Sequence, residues 1–129
     1  IFQSVKLKGL KPKEAIVFVI DAYVTYYENY PAITAMTQIY GVLSCEPDFA
    51  ARIKAILDMR KSGLKALVEE GQNKGELLPN IDSEHLVYVL MGTFDEICLN
   101  WRLNGFGFPL RDKTLAAIKV VLAAFGRAI

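Results

Sequence analysis

Three acids spaced seven residues apart, Glu14, Asp21 and Glu28, constrain the fold of this chain more than any other feature. They lie within KEAIVFVIDAYVTYYENY, whose β-branched and aromatic content alone would suit a strand. The stretch is too long for an ordinary strand, and the spacing of its acids fits a helix. At about 100° per residue the acids fall on one narrow line, and Thr25 joins them. The remaining surface is apolar or tyrosine. The segment therefore predicts a nearly engulfed central helix, opened by Pro12, which suits a first helical turn.

Punctuation along the chain supplies the other elements. Residues 1–11, IFQSVKLKGLK, read as a frayed helix end followed by a turn at Gly9. Pro31 breaks the central helix, and PAITAMTQIYGVL reads as a short helix ending near Gly41. Glu46, Pro47 and Asp48 open a long helix that runs to about Lys74. Its apolar stripe is Phe49, Ile53, Ile56, Leu57, Leu64, Leu67 and Val68. Arg52, Lys54, Asp58, Lys61, Lys65 and Glu69 form the opposite, solvated face. Gly75 serves as C-cap. Asp82, with Glu84 behind it, N-caps a helix reaching about Asn104, and a last helix follows from Leu110. No repeat, low-complexity tract or strand pair is present. The fold class is all-α, a helical bundle of about five helices.

Composition narrows the function classes. With 129 residues the chain is one domain's worth, long enough to bury a core. Its 15 Lys and Arg against 14 Asp and Glu leave a net charge of +1, little for a free-standing nucleic-acid binder. Two cysteines, Cys45 and Cys98, make neither a disulfide framework nor a zinc site and read as reduced thiols of a cytoplasmic protein. No signal peptide is visible. No apolar run approaches the roughly 20 residues that span a bilayer, and the best, Ala15 to Val24, is cut by Asp21. No membrane partner is expected.

Catalysis is not expected either. The single histidine, His85, stands beside Glu84 at a helix start, with no second histidine or nearby cysteine to complete a metal site. Ser44, Cys45 and Glu46 form a turn in which nothing supplies a base for the thiol. Gly105, Phe106, Gly107, Phe108 and Pro109 precede a helix but follow no strand, so they are no phosphate loop. Neither cofactor nor metal is implied.

The segment before that turn is apolar on more than one side. On a helical wheel Val87, Leu90, Met91, Phe94, Ile97, Cys98 and Trp101 fill one broad arc. Asp95 and Arg102 form a polar seam, beyond which Tyr88, Gly92, Leu99 and Leu103 make a second apolar arc. The last helix behaves alike. Leu115, Ile118, Leu122 and Phe125 point one way, Ala117, Val121, Ala124 and Ala128 offer a smoother neighbouring strip, and Val120 joins the residues of the expected interface. Two helices with two apolar faces each, at the end of a chain, point to a partner copy. The expected interface is an intersubunit four-helix bundle, two helices from each protomer about a two-fold axis. The alternative is that the earlier helices cover both sides.

The run GELLPNIDSEHLVYVLMGTFDEICLNWRLNG and the final amphipathic helix resemble the C-terminal regulatory domain of TetR/AcrR-family transcriptional regulators. The resembling features are the Gly75-Glu76-Leu77 turn, the acid-capped start at Asp82, Gly92 within the helix, and the ending Trp101, Leu103 and Gly105. The similarity runs from about Pro12 to the end of the chain and is a pattern of helix lengths and turns. It implies that residues 1–11 end a connecting helix and that 12–129 form a ligand-binding and dimerisation domain. The family's final two helices make its dimer interface. Its DNA-reading helix-turn-helix would precede this chain, which begins at Ile1 rather than methionine, as a fragment would.

Tyr23, Tyr26, Tyr27 and Tyr30 lie opposite the acidic line, so they are expected to point inward. Met36, Tyr40 and Met59, with Phe94, Cys98 and Trp101 from the later helix, complete an aromatic wall with few polar tips. Such a wall suits a pocket for a small, mostly apolar effector, and equally an ordinary core with hydroxyls at its rim. The resemblance, in which this region holds the inducer, favours the pocket. Asp95 is the acid nearest the wall, and with Arg102 it would orient a ligand, form an internal pair or bridge the dimer. The leading expectation is an effector-responsive homodimeric domain of a repressor, acting on operator DNA through the helix-turn-helix. The alternative is a free-standing helical lipid- or isoprenoid-binding protein without a DNA role.

Overall fold

Five helices account for most of the residues described, 2–32 and 45–127, in the computed structural model. They are α1 (Phe2–Lys8), α2 (Pro12–Asn29), α3 (Pro47–Asn73), α4 (Ser83–Leu103) and α5 (Leu110–Ala124). The predicted short helix in PAITAMTQIYGVL lies almost wholly outside the described residues. The class is all-α, as the periodicity required.

Local chemistry sets the boundaries. Asp82 accepts the backbone N–H of Glu84 at 2.8 Å and of His85 at 3.3 Å, which satisfies two orphan donors at the start of α4. α3 ends through Gly75, whose φ of +80° is open to glycine without a Cβ clash. Beyond it the N–H groups of Glu76 and Leu77 return to the Gly71 carbonyl at 2.8 and 3.1 Å. Leu77 is fully buried, and a Cβ on Gly71 would stand 2.9 Å from its Cδ1. The Gly-Glu-Leu turn is thus a left-handed stop followed by a hydrophobic plug.

That plug also meets the far end of the chain. Leu77 and Gly126 form an isolated antiparallel bridge. The Leu78 N–H donates to the Phe125 carbonyl at 3.0 Å, and the Arg127 N–H to the Glu76 carbonyl at 3.1 Å. A carboxylate oxygen of Glu76 accepts the Lys13 N–H at 3.2 Å, so the starts of α2 and the ends of α3 and α5 converge.

Helix α2 packs against α1, α3 and α5, while α4 packs against α3 and α5. Helices α2 to α5 therefore close a ring whose middle is filled by Ile16, Ile20, Val24, Leu64, Leu90, Phe94 and Ile118. The acidic line of α2 faces α5. Arg111 donates through Nε to Asp21 Oδ1 at 2.6 Å and through Nη2 to Oδ2 at 2.8 Å, a bidentate pair. Thr25 donates to the same carboxylate at 2.9 Å, and Glu28 accepts the Arg111 N–H at 3.0 Å in the first turn of α5. Asp21 and Glu28 are thus both engaged directly with the first turn of α5.

The Arg111 hydrogen bonds hold the Asp21 carboxyl below its usual value of 3.8, against the opposing pull of burial. A carboxyl lowered on folding stabilises the native state above its unfolded pKa and loses that contribution as pH falls through the lower folded value. Asp21→Asn is therefore expected to melt lower than the wild type at neutral pH. The gap should close as the pH is taken down through the carboxylate range. Because the pair is partly exposed, the effect is small, and a gap that persists in acid would point to lost packing instead.

Candidate effector cleft and pairing face

Between α1, α2 and α3 the surface opens into a cleft of about 430 Å³, lined by Phe2, Gln3, Tyr23, Ile56, Met59 and Arg60. That volume lies in the range that takes a small molecule. The Phe2 ring occupies the place a Cβ on Gly63 would need, so a glycine lets α1 approach α3. Arg60 is held from two sides. Its guanidinium carbon lies 4.5 Å from the centre of the Tyr23 ring, and Nη2 donates to the Tyr27 hydroxyl at 3.0 Å.

The predicted aromatic wall divides among three environments. Tyr23 and Met59 reach the cleft, with Met59 70% exposed at its edge. Tyr27, Phe94, Cys98 and Trp101 are buried in the core, where the Tyr27 and Phe94 rings meet with centroids 5.4 Å apart. They fill the space between α2 and α4 instead of bounding a cavity there. Tyr26 and Tyr30 do not point inward as expected: they are 50% and 56% exposed, with rings 4.9 Å apart on the surface. The cause is depth along the helix. Ala15 shares nearly the same angle as Tyr26 and is fully buried, but it lies about 16 Å nearer the packed end of α2. Met36 and Tyr40 lie outside the described residues.

Asp95 is exposed on α4, and no ion pair joins it to Arg102 among the described residues. The dense protein beneath it raises its carboxyl by desolvation, while the charge of Arg60 pulls the other way. Arg60 itself is absent from the sequence expectations. Its signal was available: it falls four residues after Ile56 and four before Leu64, a cation placed within the apolar stripe of α3.

A second feature lies on α4 and α5. Leu103 is 74% exposed and Val120 68%, and Tyr88, Gly92 and Ala124 are exposed as well. Leu99, Ala117 and Val121 are half-buried between this face and the core. Nothing lies within 4 Å of a Cβ built on Gly92. The second apolar arc of the wheel is therefore exposed, and the other described helices leave it uncovered.

A family model described as the C-terminal region of YsiA-like protein, TetR_C_4, matches residues 3–124. The chain belongs to this family of TetR C-terminal domains. No curated protein and no solved structure matches it. TetR C-terminal domains belong to regulatory, non-enzymatic proteins. Among the described residues no group of three or more His, Cys, Asp and Glu could hold a metal ion, and no helix is long and apolar enough to cross a membrane.

Thiol chemistry in this TetR-type domain separates its two cysteines. Cys98 is buried, and desolvation, aided by the charge of Asp95, pushes its thiol up to about 12. Cys45 is exposed. A thiol reagent near pH 8 is expected to label Cys45 quickly and Cys98 only on denaturation, as read by mass spectrometry. Rapid native labelling at Cys98 would show that the core around Phe94 opens readily.

Proposed function

We propose that this chain is the effector-binding and dimerisation domain of a transcriptional regulator, with two copies paired through α4 and α5. The observation that carries the reading is the uncovered apolar face of those helices, set on a domain of TetR type. Tyr88, Gly92, Leu99 and Leu103 of α4 meet their equivalents and Ala117, Val120, Val121 and Ala124 of α5 about a two-fold axis. Residues 1–11 end the connecting helix, and 12–129 are the regulatory domain. DNA is read by a helix-turn-helix N-terminal to these residues, in the cytoplasm.

A small, mostly apolar effector occupies the cleft between α1, α2 and α3. Since α1 leads toward the DNA-reading unit, an effector that fits one packing of α1 against α3 better than another shifts the population of that packing. The spacing of the two DNA-reading units then departs from the half-site separation of about 34–36 Å, and the operator is released. The reading is tested by the mass of the chain in solution. Light scattering at micromolar concentration is expected to give a dimer, and a monomer would end the proposal.

A further inference from the structure

We infer that the turn from Lys6 to Lys13 docks the domain on an anionic phospholipid surface, with lysine ammonium groups on lipid phosphates and Leu7 among the acyl chains. The inference is independent of the effector cleft. The stretch KLKGLKPK sets four lysines and two leucines in eight residues and contains no acid. Taking those four from the 15 Lys and Arg of the chain leaves 11 cations against 14 acids, a net charge of −3 instead of +1. The positive excess of the chain therefore sits at the junction of α1 and α2.

The fold keeps that charge at the surface. Gly9, with a φ of +61°, makes the turn between the two helices. Lys6, Lys8 and Lys11 are exposed and Lys13 is half-buried, and none of the four forms an ion pair among the described residues. Lys8 Nζ stands 4.8 Å from the centre of the Phe18 ring on α2. A hollow of about 430 Å³ beside the turn is bounded by residues 9–13, Lys74 and Glu76. Lys74 pairs with Glu70 at 2.7 Å, which leaves Lys11 and Lys13 as the cations open to a phosphate. The nearby acids are turned to the backbone: Glu14 accepts the Lys11 N–H at 3.4 Å, and Glu76 the Lys13 N–H at 3.2 Å.

Leu7 decides between anionic partners. It lies between two of the lysines and is 88% exposed, more than any other large hydrophobic residue described. Duplex DNA would take the lysines on its phosphates but gives a leucine at the backbone nothing to enter. An anionic bilayer rewards both, since basic side chains bind its headgroups while an apolar one is buried at the acyl boundary. No helix among the described residues is long and apolar enough to cross a membrane, so the docking is peripheral.

The test is sedimentation of the whole chain with vesicles. Vesicles of phosphatidylglycerol and phosphatidylcholine in equal parts are expected to carry the protein down, and pure phosphatidylcholine is not. Raising the salt from about 0.05 M to about 0.5 M should release it, because the attraction is screened. Lys6→Glu combined with Lys11→Glu should lower the partition coefficient at least about tenfold. Leu7→Gln, which leaves the charge unchanged, should lower it several-fold without weakening any association with a random duplex DNA. All three positions are exposed, so circular dichroism should show native helix in each variant. Equal partition onto neutral and anionic vesicles, or onto neither, would overturn the inference. Partition that ignores Leu7→Gln, alongside equally tight binding of the duplex, would overturn it too, by showing a general polyanion surface instead.

Discussion

Phe94→Ala is expected to cost about 3–5 kcal/mol of folding stability, the range for emptying an aromatic site in a packed core. Phe94 is 2% exposed and stands in the middle of the ring of four helices. Truncation removes its transfer free energy and leaves a hole that α2 and α4 are too well held to close. It also ends the contact with the Tyr27 ring at 5.4 Å, worth about 0.5–1.5 kcal/mol beyond the buried area. Against a total of about 5–15 kcal/mol for a domain, the loss is a large share. Urea unfolding of the two proteins at equal concentration checks it. A loss below about 1 kcal/mol would mean that the aromatic pair is not the keystone of the core.

With two copies paired through α4 and α5 as proposed, Gly92→Trp and Ala124→Glu are expected to give monomer, or aggregate where the exposed apolar face finds other partners. The fold of a single chain tolerates both changes. Space is open around a Cβ at Gly92, and Ala124 is exposed. In a paired α4–α5 interface the same positions are closely approached, so an indole or a buried carboxylate prevents docking. Obligate dimers commonly bury more than about 2,000 Å², and losing that area makes the melting temperature lower and independent of protein concentration. Circular dichroism should still show native helix content. Variants that remain dimeric would place the interface on another face.

Features governed by a few neighbouring residues were legible in the sequence. The Asp82 cap needs only the N–H groups of Glu84 and His85, and the Gly75 stop needs only a residue without a Cβ. The line Glu14, Asp21 and Glu28 revealed helix α2, though not that Arg111 would be its counterpart, 90 residues away from Asp21. The second apolar arc of α4 was visible on a wheel because angle alone decides it. The aromatic wall was not, because angle says nothing about height. Tyr26 and Ala15 lie at nearly the same angle on α2, yet one is half exposed and the other, about 16 Å along the helix, is fully buried. Only the crossing of α2 with its neighbours separates them. Arg60 went unread for a related reason: its worth comes from Tyr23 and Tyr27 on another helix.

The convergence of Glu76, Leu77 and Gly126 has a consequence for how the domain opens. A helix ordinarily frays from its end, one turn at a time. Here the last turn of α5 is stitched to the turn after α3 by the Leu78 and Arg127 amides, and Lys13 ties the same turn to the start of α2. The end of α5 cannot unwind by itself without releasing Leu77, which is fully buried. Its amides should therefore exchange with solvent only in openings that also unseat the ends of α2 and α3, so three helix termini far apart in the chain breathe as one cooperative unit.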